Sequence, residues 1–184
     1  RAYLKSEEYY KKNQIQILKN RKVTLINRDE KFIILDNGDE HFYKKLIMAT
    51  GSQVTRLDLN CTDSNIHYLR NIDDSYEIRE SLKNKKTLAI IGAGYIGMEV
   101  ASAAIKNKVK PIVIEAENRC MARAVCNETS LFFEKKHQKE GVHFKFNTSI
   151  KTISDAQNQK IITCNDGSEI IVDSIVIGIG IKPN

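Results

Sequence analysis

The chain has 184 residues, 41% hydrophobic and 28% charged, the balance of a globular protein with room for one large or two small domains. No apolar stretch approaches the length that crosses a bilayer, so no membrane association is expected. The net charge of +6 comes largely from lysine-rich clusters such as 83–86 and 106–110. No aromatic residues interleave with them, which argues against nucleic acid and leaves either a solvated surface or one that steers an acidic partner.

In chain order, "SEEYYKK" (6–12) predicts a short helix with Ser6 as its cap and acids in its first turn. "KVTLIN" (22–27), "KFIILD" (31–36) and "HFYKKLIMAT" (41–50) predict an antiparallel meander running into a buried strand, with Asp36-Asn37-Gly38 as a hairpin turn. Residues 52–67 read as an irregular polar linker. Residues 71–84 predict a helix. "TLAII" (87–91), a helix over about 95–106 and "PIVIE" (111–115) form a βαβ unit of the length such a unit needs. A helix over 127–139, capped at Asn127 or Thr129, is followed by "VHFKFN" (142–147), a second meander through "SIKTIS", "KIITCN" and "EIIVD", and a final buried strand, "SIVIGIG" (174–180).

The opening Arg1-Ala2-Tyr3 has neither an initiator Met nor a signal segment, and "IGIGIKPN" reads as a strand and its exit loop. A piece of a longer protein is therefore expected. Cys61, Cys120, Cys126 and Cys164 form no CxxC, and the spacing of Cys120 and Cys126 matches no metal or redox signature. Free thiols and a cytoplasmic setting follow. His41, His67, His137 and His143 are scattered, so neither a metal site nor a catalytic residue is expected from this segment.

The strongest signal is "GAGYIG", in which Gly92, Gly94 and Gly97 follow a strand and open a helix. Gly92 permits the tight turn, Gly94 lets backbone approach a pyrophosphate, and Gly97 lets the helix pack closely on the sheet. The helix start offers free N–H groups and a partial positive charge to phosphates. Glu115 lies 18 residues beyond Gly97, placed to accept hydrogen bonds from ribose hydroxyls and to repel a 2′-phosphate, which favours NADH over NADPH. Arg119 and Arg123 follow closely and temper that preference. The turn itself does not separate NAD from FAD.

Three segments in order resemble the two-dinucleotide flavoprotein reductases of the pyridine nucleotide-disulfide oxidoreductase superfamily: "YKKLIMATG" (43–51), "GAGYIGMEVA" (92–101) and "IVIGIGIKPN" (175–184). Together with "YLRNIDDSYEIRESL" (68–82), they are most similar to ferredoxin and rubredoxin reductases of the oxygenase-associated type. The resemblance implies an α/β fold: a Rossmann-like NAD-binding domain over 72–184, with a parallel sheet, helices and an antiparallel meander, and a partial FAD-binding strip over 1–71. It implies NAD contacts at Gly92, Gly94, Tyr95, Ile96, Gly97, Glu99, Glu115, Arg123, Gly178, Ile179 and Gly180. Tyr95 would cover the nicotinamide, with core packing as its alternative role; Glu99 would lie near the same end, with a solvated helix acid as its alternative. Val23, Ala49, Thr50 and Gly51 would serve FAD, whose own glycine motif would lie upstream of Arg1. This chain alone is therefore expected to lack FAD.

The implied activity of the parent is transfer of electrons from NADH through FAD to a small, acidic iron–sulfur carrier of the ferredoxin or rubredoxin kind. A NADH oxidase, peroxidase or coenzyme A disulfide reductase shares the same motifs and is the alternative. For the isolated chain, a non-catalytic NAD-binding module is a further one, and a homodimer is left open. Lys44, and Val54-Thr55 with Arg56 one place late, depart from the family pattern on the FAD side.

Overall fold

A computed structural model describes residues 4–58 and 61–184. The chain divides into two compact units, Arg1–Ala49 and Thr50–Asn184.

In the first unit, α1 (Glu7–Lys12) begins where the Ser6 hydroxyl accepts the Tyr9 N–H at 3.3 Å. β1 (Val23–Asn27), β2 (Phe32–Leu35) and β3 (Glu40–Phe42) form the expected antiparallel meander. The Asn27 side chain accepts from the N–H groups of Asp29 and Glu30 and shapes the first turn. The buried strand expected over 43–50 is absent: Ile47 is 89% exposed and Met48 66%. Apolar composition alone does not make a strand. Its backbone groups need a neighbouring ladder, and the described residues supply none there.

In the second unit, β4 (Ser52–Val54) and β5 (Ile66–Tyr68) occupy the stretch read as a linker. α2 (Ile72–Leu82) is held by a capping box in which Asn71 and Asp74 each accept the other's backbone N–H. β6 (Thr87–Ile91), α3 (Tyr95–Lys106) and β7 (Lys110–Ile114) are the βαβ unit. α4 (Asn127–Lys139) is capped by Cys126 rather than by Asn127 or Thr129, and no side chain caps the N–H groups of its first turn. β8 (His143–Lys145), the meander β9 (Ile150–Ala156), β10 (Gln159–Cys164) and β11 (Glu169–Val172), then β12 (Ser174–Ile177) and β13 (Ile181–Pro183) complete it. The last predicted strand stops at Ile177, because the chain leaves the sheet through Gly178 and Gly180, the latter at φ 123°.

The central sheet has the order β5-β12-β6-β7-β8 and is parallel throughout. β5 thus belongs to this sheet although it precedes residue 72. Both faces are covered, which is why the strands are continuously apolar. Leu88, Ile90, Val113 and Val176 pack with Ile78 and Leu82 of α2 and Met98, Ala101 and Ala104 of α3. Ala89, Ile91, Ile114, Ile175 and Ile177 pack on the opposite side with Ile153, Ile162 and Val172 of the meander.

Two polar clamps hold the layers in register. Lys160 is fully buried, and its ammonium donates to the Asp155 carboxylate and to the Thr62 carbonyl at 2.8 Å. Asp173 accepts from Lys86 N–H (2.8 Å), Thr87 N–H (2.9 Å), the Thr87 hydroxyl (3.1 Å) and Gln159 Nε2 (2.9 Å), locking β12 to β6 at the end opposite the glycine turn. Burial is the largest influence on its carboxyl and pushes it up, but the four hydrogen bonds together outweigh it and hold it at about 2, against 3.8 for a free aspartate. A depressed folded-state value means that this stabilisation is complete above pH 3.8 and is lost as the pH falls toward 2. Asp173→Asn should lower stability at neutral pH by about 1–3 kcal/mol. It should also flatten the pH dependence of unfolding across that same acid window, measured by denaturant titration at stepped pH.

Candidate functional site

In the parallel sheet, the chain leaves β6 toward β7 on one side and returns as β12 on the other, so a crevice opens at the carboxyl ends of β6 and β12. A cleft of about 520 Å³ lies there, lined by the glycine turn, Glu115, Glu117, Arg123, Thr148 to Ile150, and Gly178 to Ile181, with Leu57, Tyr95 and Ile96 among its apolar members.

The three turn glycines have different reasons. Gly92 sits at φ 101°, and a Cβ there would stand 2.5 Å from the Gly178 carbonyl oxygen. A Cβ on Gly97 would collide with the Gly92 carbonyl and press on Ile90 at 3.3 Å. A Cβ on Gly94 would meet nothing within 4 Å. The fold therefore requires Gly92 and Gly97, whereas at Gly94 the missing side chain leaves open cleft. Gly94 is the N-cap of α3 and gives it no side-chain hydrogen bond, and Gly94, Tyr95 and Ile96 of this helix start line the cleft.

Glu115 lies at the end of β7 with its backbone fixed by Glu115 N–H to Lys145 O (2.9 Å) and Thr148 N–H to Glu115 O (2.9 Å). Its carboxylate bridges two loops: Oε2 accepts the Ala93 N–H at 2.6 Å and Oε1 the Glu117 N–H at 2.9 Å. Each oxygen keeps a second lone pair for a ligand hydroxyl. The loop after β7 is tied to the turn by Met121 N–H to Ala93 O (2.8 Å). Arg119 braces that loop, donating to Val125 O (3.0 Å) and Ala122 O (2.8 Å).

The cleft gathers Gly92, Gly94, Tyr95, Ile96, Glu115, Arg123, Gly178, Ile179 and Gly180, with Gly97 packed beneath it. Tyr95 is 60% exposed, so its ring is not part of the core. Glu99 does not line the cleft. It is exposed on α3 and borders a separate hollow with Ser75, Arg79 and Asn107. Thr50 and Gly51 lie at the start of the second unit, where the Thr50 carbonyl accepts Asn184 Nδ2 (2.8 Å) and the Gly51 carbonyl accepts the Asn184 N–H (3.1 Å). These bonds extend the β4–β13 ladder and draw the Ala-Thr-Gly and Lys-Pro-Asn segments together. Val23 lies on β1 and Ala49 closes the first unit, both exposed. Glu117, Met121 and Thr148 to Ile150 were missed by sequence reasoning. They sit on loops or, for Ile150, at the first residue of β9, without a motif, and only Glu117, two places after Glu115, carried a signal.

This fold is that of α/β oxidoreductases that use FAD and NAD. The chain belongs to the pyridine nucleotide-disulphide oxidoreductase family, whose model matches residues 4–184. It is 34% identical to rhodocoxin reductase of Rhodococcus erythropolis, covering 98% of this chain and 43% of that protein. It is 36% identical to a rubredoxin-NAD(+) reductase of Pseudomonas putida, covering 98% and 47%. Among solved structures, a ferredoxin reductase from Rhodopseudomonas palustris superposes with a TM-score of 0.85 at 28% identity, over 98% of this chain and 45% of that one. A covalent putidaredoxin reductase–putidaredoxin complex gives 0.83 at 32% identity, over 99% and 45%. The chain thus spans about half the length of the curated relatives it matches. Homologues in this family use NAD(H) and FAD.

Because Gly97 packs against backbone and Gly94 faces open space, Gly97→Ala should destabilise the protein by about 3 kcal/mol. Gly94→Ser, which supplies a helix cap, should stay within about 0.5 kcal/mol of the parent in denaturant unfolding.

Proposed function

We propose that residues 72–184 form a Rossmann-type NAD-binding domain, to which residues 1–71, a segment of an FAD-binding domain, lend β5. The observation that carries this reading is the uncapped start of α3 opening onto the cleft at the sheet's crossover point, beside an acid that already spans the turn. The first-turn N–H groups and the helix dipole suit a pyrophosphate. The free lone pairs of Glu115 suit ribose hydroxyls and disfavour a 2′-phosphate. Gly178 to Gly180 offer backbone at the β12 end of the cleft, and Tyr95 supplies a ring at the mouth. Ile96, Ile179 and Leu57 keep water from the wall. Glu99, outside the cleft, is left out of the NAD set.

For the whole protein, we infer an NADH-dependent reductase that serves a small iron–sulfur carrier. FAD, when bound, would accept two electrons from NADH and release them singly to that carrier. The named relatives, rhodocoxin reductase and rubredoxin-NAD(+) reductase, and the putidaredoxin complex support this class of partner. The +6 charge suits an acidic one. The four free thiols support a cytoplasmic setting, and no helix among the described residues is long and apolar enough to cross a membrane. Thr50, Gly51, Val23 and Ala49 are proposed to serve FAD in the complete protein. Within residues 4–49 the only glycine is Gly38, in a hairpin, so these residues hold no second phosphate-binding turn.

Two titrations test the NAD assignment. NAD+ should bind more tightly than NADP+ in calorimetry; equal or reversed affinities would refute the role given to Glu115. Gly94→Val, checked as folded by circular dichroism, should weaken NAD+ binding more than tenfold. Unchanged affinity would remove the glycine turn from the site.

A further inference from the structure

We propose that Glu117 is a second specificity-determining residue of the cleft, one that engages Arg123 and withholds it from a 2′-phosphate. This deepens the NAD assignment and rests on it.

Among the described residues that line the cleft, the charged side chains are Glu115, Glu117 and Arg123, and Arg123 is the one cation. An arginine shortly after the strand-end acid is what a dinucleotide site needs to receive a 2′-phosphate. Taken alone, Arg123 would therefore work against the preference that Glu115 sets. The structure answers this with Glu117, whose Oε1 lies 3.9 Å from Arg123 Nη2. The neighbouring cations are also engaged: Arg119 donates to Val125 and Ala122 carbonyls, and Lys145 pairs with Asp166 at 3.5 Å and donates to the Ser168 hydroxyl at 2.5 Å.

Glu117 is held where this role requires it. Its N–H donates to Glu115 Oε1 at 2.9 Å, and its carbonyl accepts the Asn147 N–H at 3.0 Å. Backbone bonds on both sides fix its Cα, so the side chain stays at the rim. The ion pair is exposed and adds little to folding. Its consequence is for the ligand. With both acids present the lining is net negative; without Glu117 it is neutral, and the guanidinium is released for paired hydrogen bonds to a phosphate. Among the described residues no hydrogen bond joins the Glu117 side chain to the turn or to the Glu115 carboxylate, so the two acids act on the 2′ position by separate means.

The test compares wild type, Glu117→Gln, Arg123→Gln and the double variant by calorimetry with NAD+ and NADP+, and with 5′-AMP and adenosine 2′,5′-bisphosphate. Glu117→Gln should raise the affinity ratio of NADP+ to NAD+ about five- to tenfold at low salt, with the same shift for the two adenosine fragments. The shift should shrink at high salt and be mostly lost in the Arg123→Gln background. An unchanged ratio in Glu117→Gln, with NAD+ still bound by wild type, would overturn this proposal alone. A shift of the same size without Arg123 would overturn the withholding mechanism. Failure of wild type to bind NAD+ or 5′-AMP would overturn the NAD assignment and this proposal with it.

Discussion

Residue 97 carries no side chain because its Cα lies against the carbonyl of Gly92, and Gly92 in turn lies against Gly178. This double approach of backbone to backbone is the constraint on which the second unit depends. It brings the first turn of α3 down onto the end of β6 and brings the exit of β12 alongside. Only at such a distance can helix N–H groups reach a ligand lying across the strand ends. The parallel sheet supplies the rigidity, since strands buried on both faces leave β6 and β12 little freedom to separate.

The acid at the end of β7 is a structural element of the cleft in its own right. By accepting one N–H from the glycine turn and one from its own exit loop, Glu115 joins the two sides of the cleft. Its carboxylate is thus a structural tie, and each oxygen keeps a lone pair spare. The loop beyond it continues the arrangement: Met121 returns to Ala93, and Arg119 is spent on loop carbonyls. The basic residues near this end consequently shape the loop or face acids.

The second unit also brings together chain segments far apart in sequence. β4 and β13 pair antiparallel, so the chain enters and leaves the parallel-sheet module at adjacent points. The exposed apolar residues of 43–50 belong to the first unit, and their strand-like sequence has no ladder to join among the described residues.

Much of this was legible from the residues. The βαβ unit, the three glycines and Glu115 are local or nearly so, and turn geometry, helix capping and strand burial restrict those positions to few residue types. The meander over 150–172 was equally readable, because period-two alternation and tight turns are local. What the sequence by itself determined was the glycine turn, its acid and the family resemblance. Only the tertiary structure decided the rest. It turned the predicted linker over 52–67 into two strands, since a three-residue strand exists only beside its partner. It set Glu99 outside the cleft, because five residues past Gly94 the helix has turned well past one full revolution and the side chain emerges on another face. It brought Thr148 to Ile150 and Glu117 into the lining, because loops from distant strands meet only once the sheet has ordered them. Sequence spacing specifies what a residue does within its own element; which elements become neighbours is settled by packing on a common sheet.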